Sequence, residues 1–267
     1  MHLLVTNDDG VFAPGIATLA AALAEAGHQI DVVAPLEDQS GSSAATGVQP
    51  QGSADALALE AVELERATGV RAFGVNSLPA TCVAIALGGA LGPPADLVVS
   101  GINRGRNIGR LILHSGTVGA AFTAAKTGRS ALAISIKADG KAPVHYVTAA
   151  RIAVALIDPL VAMTPGSVLN CNVPNRPLDE LRGVRRALLS ESDIYHSTSV
   201  DSGRIRVSLG YRGRTTRPDD DEALSSAGFV TLTALTPPKE DSEPKTTTLI
   251  EEVANDLDGR FGPKRRS

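Results

Sequence analysis

An α/β protein built on a parallel sheet is the expectation from this sequence, on three observations. Strand-like and helix-like segments alternate from the first residues onward, and strand, helix and strand fit within about 35 residues, the size of one βαβ unit. Several strand segments, among them Leu97-Val98-Val99 and Ala131 to Ile136, are unbroken apolar runs, as in strands covered by helices on both faces. Polar and glycine-rich clusters follow directly on those runs, where an open parallel sheet carries its ligands.

The elements follow in order. Leu3-Leu4-Val5-Thr6 is a short apolar strand ended by the turn cluster Asn7-Asp8-Asp9-Gly10. Residues from Ile16 to Ala26 are rich in Ala and Leu and stop at Gly27, which predicts a helix with a C-terminal glycine. Ile30 to Ala34 is a second strand, closed by Pro35. Ala72 to Val75 reads as a strand and Pro79 to Leu87 as a helix. Leu97-Val98-Val99 runs into Ser100-Gly101, Thr117 to Lys126 is helical, and Ala131 to Ile136 is a strand. Val144 to Met163 predicts a long helix, and Val168 to Val173 a strand ended by Pro174. After Pro177 the pattern changes. Arg204 to Leu209 alternates polar and apolar residues, as a half-exposed antiparallel strand does, and Phe229 to Thr233 is similar. The acidic run Asp219-Asp220-Asp221-Glu222 between them reads as a solvated loop. A polar linker beyond Pro237-Pro238 leads to a short helix over Thr248 to Leu257 and a frayed tail at Lys264-Arg265-Arg266.

Composition removes several function classes. The chain has 267 residues, with 25 Lys and Arg against 29 Asp and Glu, a net charge of −4. That balance argues against stable binding to a nucleic-acid backbone, which needs clustered cations. Aromatics are 3% and Trp is absent, so no base-stacking platform is expected. Cys82 and Cys171 stand far apart in apolar runs, which predicts two buried reduced thiols. No basic leader with a cleavage site opens the sequence, and no apolar run approaches the ~18–20 residues of a membrane span. The expectation is a cytoplasmic protein that does not enter membranes.

The chemistry is expected where the loops after the strands converge. Asn7, Asp8 and Asp9 follow the first strand, Asp38 to Gly41 the second, Asn76 and Ser77 the Val75 strand, and Ser100 to Arg104 the Val99 strand. Adjacent carboxylates raise one another's pKa unless something positive sits between them. A divalent cation is the natural partner, and carboxylate, amide and hydroxyl oxygens suit Mg²⁺, Mn²⁺ or Ca²⁺. The glycine-rich stretch Gly101 to Gly109 precedes Ser115-Gly116-Thr117-Val118-Gly119, where small residues at a helix start expose N–H groups to an anion. Arg104, Arg106 and Arg110 offer positive charge nearby. No Gly-Lys-Ser/Thr, no GxGxxG after the first strand and no Gly-x-Ser-x-Gly occurs, so ATP-driven transfer, nicotinamide chemistry and a serine nucleophile elbow are not indicated. Carboxylates facing a phosphate cradle point to phosphate-ester hydrolysis. His114 lies beside the cradle, as a general acid, a substrate contact or a surface residue.

Val5 to Gly10 with Ala13-Pro14-Gly15 resembles the opening of the stationary-phase survival protein SurE family. So do Val32 to Pro35 with Gln39-Ser40-Gly41, then Asp96 to Gly105, Ser115 to Ala121 and Asn170-Cys171-Asn172-Val173-Pro174, in order over residues 1–180. The resemblance implies a metal-dependent 5′/3′-nucleotidase acting on nucleoside monophosphates, in a three-layer Rossmann-like parallel sheet. Residues 1–180 would form the catalytic domain. Residues 181–267 would form a smaller C-terminal extension of hairpin strands and terminal helix, serving a homodimer or tetramer. It carries catalysis and metal ligation to Asp8 and Asp9, with Ser40 and Asn103 as further ligands of one divalent ion. Substrate and phosphate contacts fall to Asn7, Ser115, Gly116 and Thr117. Asn76-Ser77-Leu78-Pro79-Ala80-Thr81 departs from the family's usual Asn-Gly-Thr-Pro-Ala-Asp, and His114 stands where Tyr is common. Two further readings remain: a broad acid phosphatase or polyphosphate-cleaving enzyme on the same site, and a non-catalytic ligand-binding or regulatory protein that keeps the fold.

Overall fold

The protein is described here by a computed structural model covering residues 1–47, 56–138, 142–201, 203–238, 248 and 250–253. Seven strands come from the first part of the chain: β1 (His2–Thr6), β2 (Gln29–Pro35), β3 (Leu59–Val62), β4 (Arg71–Val75), β5 (Leu97–Arg104), β6 (Ala131–Ile136) and β7 (Val168–Val173). β8 (Val184–Arg186), β9 (Asp193–Asp201), β10 (Arg204–Arg212) and β11 (Val230–Leu235) follow. Among the described residues nine strands form one sheet in the order β3-β4-β2-β1-β5-β6-β7-β11-β8. β4, β2, β1, β5, β6 and β7 run parallel, while β3 and β11 are antiparallel to their neighbours β4 and β7. The chain runs outward from β1 to β2 on one side and returns to β5 on the other. That reversal opens a crevice at the carboxyl ends of β1 and β5.

Helices cover both faces, making three layers. α1 (Pro14–Glu25) and α4 (Tyr146–Val161) pack with one face, α2 (Pro79–Leu87) and α3 (Gly116–Ala125) with the other. α1 starts with Pro at its first position, where no N–H is needed, and buries Ile16, Leu19, Ala20 and Leu23 along one stripe. α4 does the same with Ala149, Ala153, Leu156, Ile157 and Leu160. Leu3 and Val5 of β1 face the α1–α4 core, Leu4 the α2–α3 core, as the two-residue period of a strand requires. Each fully buried Leu or Ile contributes about 1.5–3 kcal/mol. The thiols of Cys82 and Cys171 are buried and unpaired, as expected, and burial pushes the Cys82 pKa up to about 12.

Several expectations are corrected. The Val99 strand extends to Arg104, with a register shift against β6 between Ser100 and Asn103. The acidic run is not a solvated loop: Asp220 caps α5 (Asp221–Ser226), and Asp220 and Asp221 are fully buried. Carboxylates satisfied by backbone N–H groups can be buried where a charge count alone predicts exposure. β9 and β10 pair antiparallel in a two-stranded hairpin, but its apolar residues are uncovered rather than half-buried. β8 and β11 join the main sheet. Met1–Leu235 forms one compact unit and Thr236–Ser267 a second. Residues 248 and 250–253 are helical, while the rest of the helix expected to Leu257, and the basic tail, lie outside the described residues. Among the described residues no helix is long and apolar enough to cross a membrane.

Candidate active site

The turn after β1 places two carboxylates at the crevice. Asn7 is fully buried and its Nδ2 donates to Gly10 O at 2.8 Å, closing a turn in which Gly10 takes φ +97°. The backbone of the next loop locks onto it, with Gln39 N donating to Asp8 O at 2.7 Å. Asp8 is 3% exposed, and Thr117 Oγ1 donates to its Oδ1 at 2.6 Å. Asp9 Oδ2 accepts from Arg104 N at 3.0 Å, tying the β1 turn to the end of β5.

α3 supplies the third wall. Ser115 is its N-cap, its hydroxyl accepting from Val118 N at 3.1 Å. A Cβ on Gly116 would lie 2.9 Å from Asp8 Oδ2 and 2.7 Å from Ser42 Oγ, so only glycine lets the helix approach this closely. A Cβ on Gly119 would meet Ser43 O at 2.1 Å, and the Ser40–Ala44 loop rests there on the helix. Ser43 N donates to His114 O at 3.2 Å and Ser43 Oγ to Leu113 O at 2.8 Å.

These contacts enclose a cavity of about 180 Å³ lined by Asp8, Ser40, Asn103, Arg104, His114 and Ser115, with Gly41, Asn107, Leu111 and Ile194 completing the wall. The structure therefore brings Asp8, Ser40, Asn103 and Ser115 together, as expected from the strand ends. Asp9 is not among the lining residues and accepts from Arg104 N. Asn7, Gly116 and Thr117 do not line the cavity: Asn7 holds the turn, Gly116 allows the close approach, and Thr117 donates to Asp8.

Burial pushes the Asp8 carboxyl above the ordinary range, against hydrogen bonds from Thr117 that pull it down. Burial, and then the charge of Asp8, raises Asp9 to about 6, against the Arg104 N–H. Two carboxylates held this way are poised for a cation. Among the described residues no group of three or more His, Cys, Asp or Glu side chains gathers to hold a metal. The Asp8 carboxylate, the Ser40 hydroxyl and the Asn103 carboxamide line one cavity, with the Asp9 carboxylate next in sequence, and oxygen donors of these kinds suit a hard divalent ion. Asn103 Nδ2 donates to Gly105 O at 2.7 Å, so its amide plane is fixed. Ser42 Oγ, beside Asp8 across Gly116, is buried with no hydrogen-bond partner among the described residues, a further oxygen awaiting one. The residues fit the ion.

Sequence reasoning missed Asn107. Its N–H donates to Asn172 Oδ1 at 2.8 Å, its Nδ2 to Ser135 Oγ at 2.9 Å, and its carbonyl accepts from Asn170 Nδ2 at 2.8 Å and Asn172 Nδ2 at 3.0 Å. The available signal was Asn170-Cys171-Asn172: residues two apart on a buried strand share a face, and two carboxamides there need partners. Tyr146 was also missed. It starts α4 within electrostatic reach of Asp9 and Arg104, and burial raises its phenol.

The chain matches the family described as Survival protein SurE over residues 3–195. It is 35% identical over 243 residues to a protein of Desulfitobacterium hafniense (strain DSM 10664 / DCB-2) named 5'-nucleotidase SurE, covering 88% of this chain and 90% of that one. A 5'-nucleotidase SurE of Stutzerimonas stutzeri (strain A1501) is 41% identical over 187 residues, 69% of this chain and 70% of that protein. The crystal structure of the SurE protein from Aquifex aeolicus superposes with a TM-score of 0.75 at 25% identity, over 96% of this chain and 100% of that one. With its motifs in order along one sheet edge and this kinship across most of its length, the chain belongs to the SurE family of survival proteins.

Proposed function

We propose that the protein is a divalent-metal-dependent phosphomonoesterase that hydrolyses nucleoside 5′- and 3′-monophosphates to nucleoside and phosphate. The observation that carries this reading is the cavity wall, which the buried Asp8 carboxylate shares with Arg104, His114 and Ser115, the N-cap of α3. Asp8, Asp9, Ser40 and Asn103 hold the ion, Mg²⁺ or Mn²⁺, which when bound polarises a phosphoryl oxygen and lowers the pKa of water. Arg104 binds the phosphate oxygens, Ser115 bounds them at the helix start, and Thr117 keeps Asp8 oriented. His114, on the same wall, is the group we assign to hand a proton to the leaving oxygen. Leu111 and Ile194 give the nucleoside side of the wall its apolar character.

The SurE relatives' printed name, 5'-nucleotidase, supports this substrate class. The Asn76 to Thr81 departure supports a broader phosphatase as the second reading. Free, buried cysteines suit a reducing cytoplasm. We assign the uncovered hairpin to subunit association, as part of the C-terminal extension.

The test is phosphate release from EDTA-stripped protein on nucleoside monophosphates, p-nitrophenyl phosphate and polyphosphate, with Mg²⁺, Mn²⁺ or no metal restored. Metal-restored release favouring nucleotides is expected. Release only from p-nitrophenyl phosphate or polyphosphate would give the site to the broader reading. No release with either metal would leave a binding protein.

A further inference from the structure

The acidic run that the proposed reaction leaves unused lies behind the cavity. The loop from Asn103 to Gly109 presents Asn103, Arg104 and Asn107 to the cavity at its front. At its back it meets α5. Asp221, fully buried, accepts from Gly109 N at 2.8 Å through Oδ2 and from Ser190 N at 2.9 Å through Oδ1. Glu222 accepts from Arg106 Nη1 at 3.3 Å and Ser226 Oγ at 2.8 Å through Oε1, and from Ser192 Oγ at 3.2 Å and the Tyr211 hydroxyl through Oε2. The Arg106 and Glu222 side chains are 11% and 13% exposed, so this pair is shielded from solvent. Gly109 takes φ +52° and presses against the 190–192 segment, where a Cβ would lie 2.6 Å from Ser192 O.

We propose that Asp221, assisted by Glu222, is a positioning residue for the substrate cavity, fixing the β5–α3 loop so that Arg104, Asn107 and His114 stand on its wall. The inference rests on the phosphatase reading above and deepens it. Two adjacent residues of α5 reach two points of one loop, Arg106 and Gly109, while β7 reaches a third, Asn107, through Asn170 and Asn172. A loop pinned at three points from behind keeps its front-facing groups in register, and a displacement of about 1 Å at a reacting centre costs about 100-fold in rate. The neighbour Asp220 supplies an internal control. It is as buried as Asp221, but its acceptors serve Thr216 N, Arg217 N and Ala223 N, all within its own segment.

Asp221→Asn keeps the shape and turns one acceptor into a donor facing an N–H. With the full chain and Mn²⁺, its kcat/KM on p-nitrophenyl phosphate should fall about 10- to 100-fold, measured well below its melting temperature. Amide hydrogen exchange in residues 104–111 should accelerate. Asp220→Asn should lower the melting temperature yet leave kcat, KM and exchange in residues 104–111 at wild-type values. Should Asp221→Asn not fold, Glu222→Gln reads the same loop through Arg106 and should show a smaller loss of the same kind. Equal losses in the Asp220 and Asp221 variants would make the role structural and overturn the proposal. So would wild-type exchange and kinetics in folded Asp221→Asn, or in Glu222→Gln where it is the variant that folds. Were the wild type itself inactive with either metal, the phosphatase reading would fall, while exchange would still decide whether α5 anchors the loop.

Discussion

Asp8 accepts from Thr117 and is closely approached by Gly116, and among the described residues it has no cationic side chain as a hydrogen-bond partner. Burial therefore disfavours its charged form. Asp8→Asn should lower metal-restored kcat by about 10²–10³-fold. It should also leave the melting temperature of the metal-free protein unchanged or higher, because a buried like charge beside Asp9 is removed. A collapse of the melt would instead make Asp8 a structural residue. Asn103→Ala should weaken Mn²⁺ binding in a calorimetric titration, and an unchanged titration would take Asn103 off the ligand set. Away from the site, Asp31 is desolvated, but hydrogen bonds from Arg71 and His2 outweigh burial and hold its carboxyl below the usual range. A depressed folded pKa adds stability above the ordinary carboxylate pKa of ~3.9 and loses it as pH falls through the folded value. The melting-temperature gap between wild type and Asp31→Asn should therefore be widest near neutrality and narrow as the pH falls below the ordinary carboxylate pKa of ~3.9.

At the scale of elements, α3 shows why small residues recur from Ser115 to Ala125. The helix is buried on the sheet side by Val118, Ala121 and Ala124 and on the other by the Ser40–Ala44 loop seated against Gly119. Gly119→Ala would place a methyl against Ser43 O and should cost about 1–3 kcal/mol in denaturant unfolding. It should also disturb the cavity through Ser40. β7 makes the complementary point, since its two buried asparagines meet the Asn107 backbone, whose N–H donates to Asn172 Oδ1 and whose carbonyl accepts from both side-chain amides. The hairpin differs from both. Ile205, Val207 and Leu209 are 70%, 58% and 65% exposed, an apolar stripe with strand geometry and no cover within the described chain.

At the scale of the whole molecule, the uncovered stripe bears on association. If it is the subunit interface, the paired change Val207→Lys and Leu209→Lys should shift light-scattering mass from oligomer to monomer while leaving the fold of the single subunit intact. An unchanged mass would move the interface elsewhere. The site depends on the sheet topology rather than on any one segment. Asp8 comes from the turn after β1, Ser40 from the loop after β2, Asn103 from β5 and Ser115 from the start of α3, and the reversal of strand order at β1 brings them to one crevice.

The alternation of apolar runs with Ala- and Leu-rich stretches made the parallel core legible in the sequence. Its strands are buried on both faces and α1 and α4 along one stripe, and those patterns are local. Ala131 to Ile136, Val168 to Val173 and Pro79 to Leu87 lie where their composition places them. That Asp8 and Ser40 lie at strand ends beside one cavity was legible for the same reason, each following a recognisable strand. What lay beyond local pattern was partnership. Whether Asp221 faces water or two backbone N–H groups depends on residues 109 and 190, over 30 positions away or more. Whether Thr117 touches substrate or Asp8 depends on a contact across 109 positions. Burial of a polar group is decided by the donors and acceptors that meet it, and those are brought together only by the folded chain.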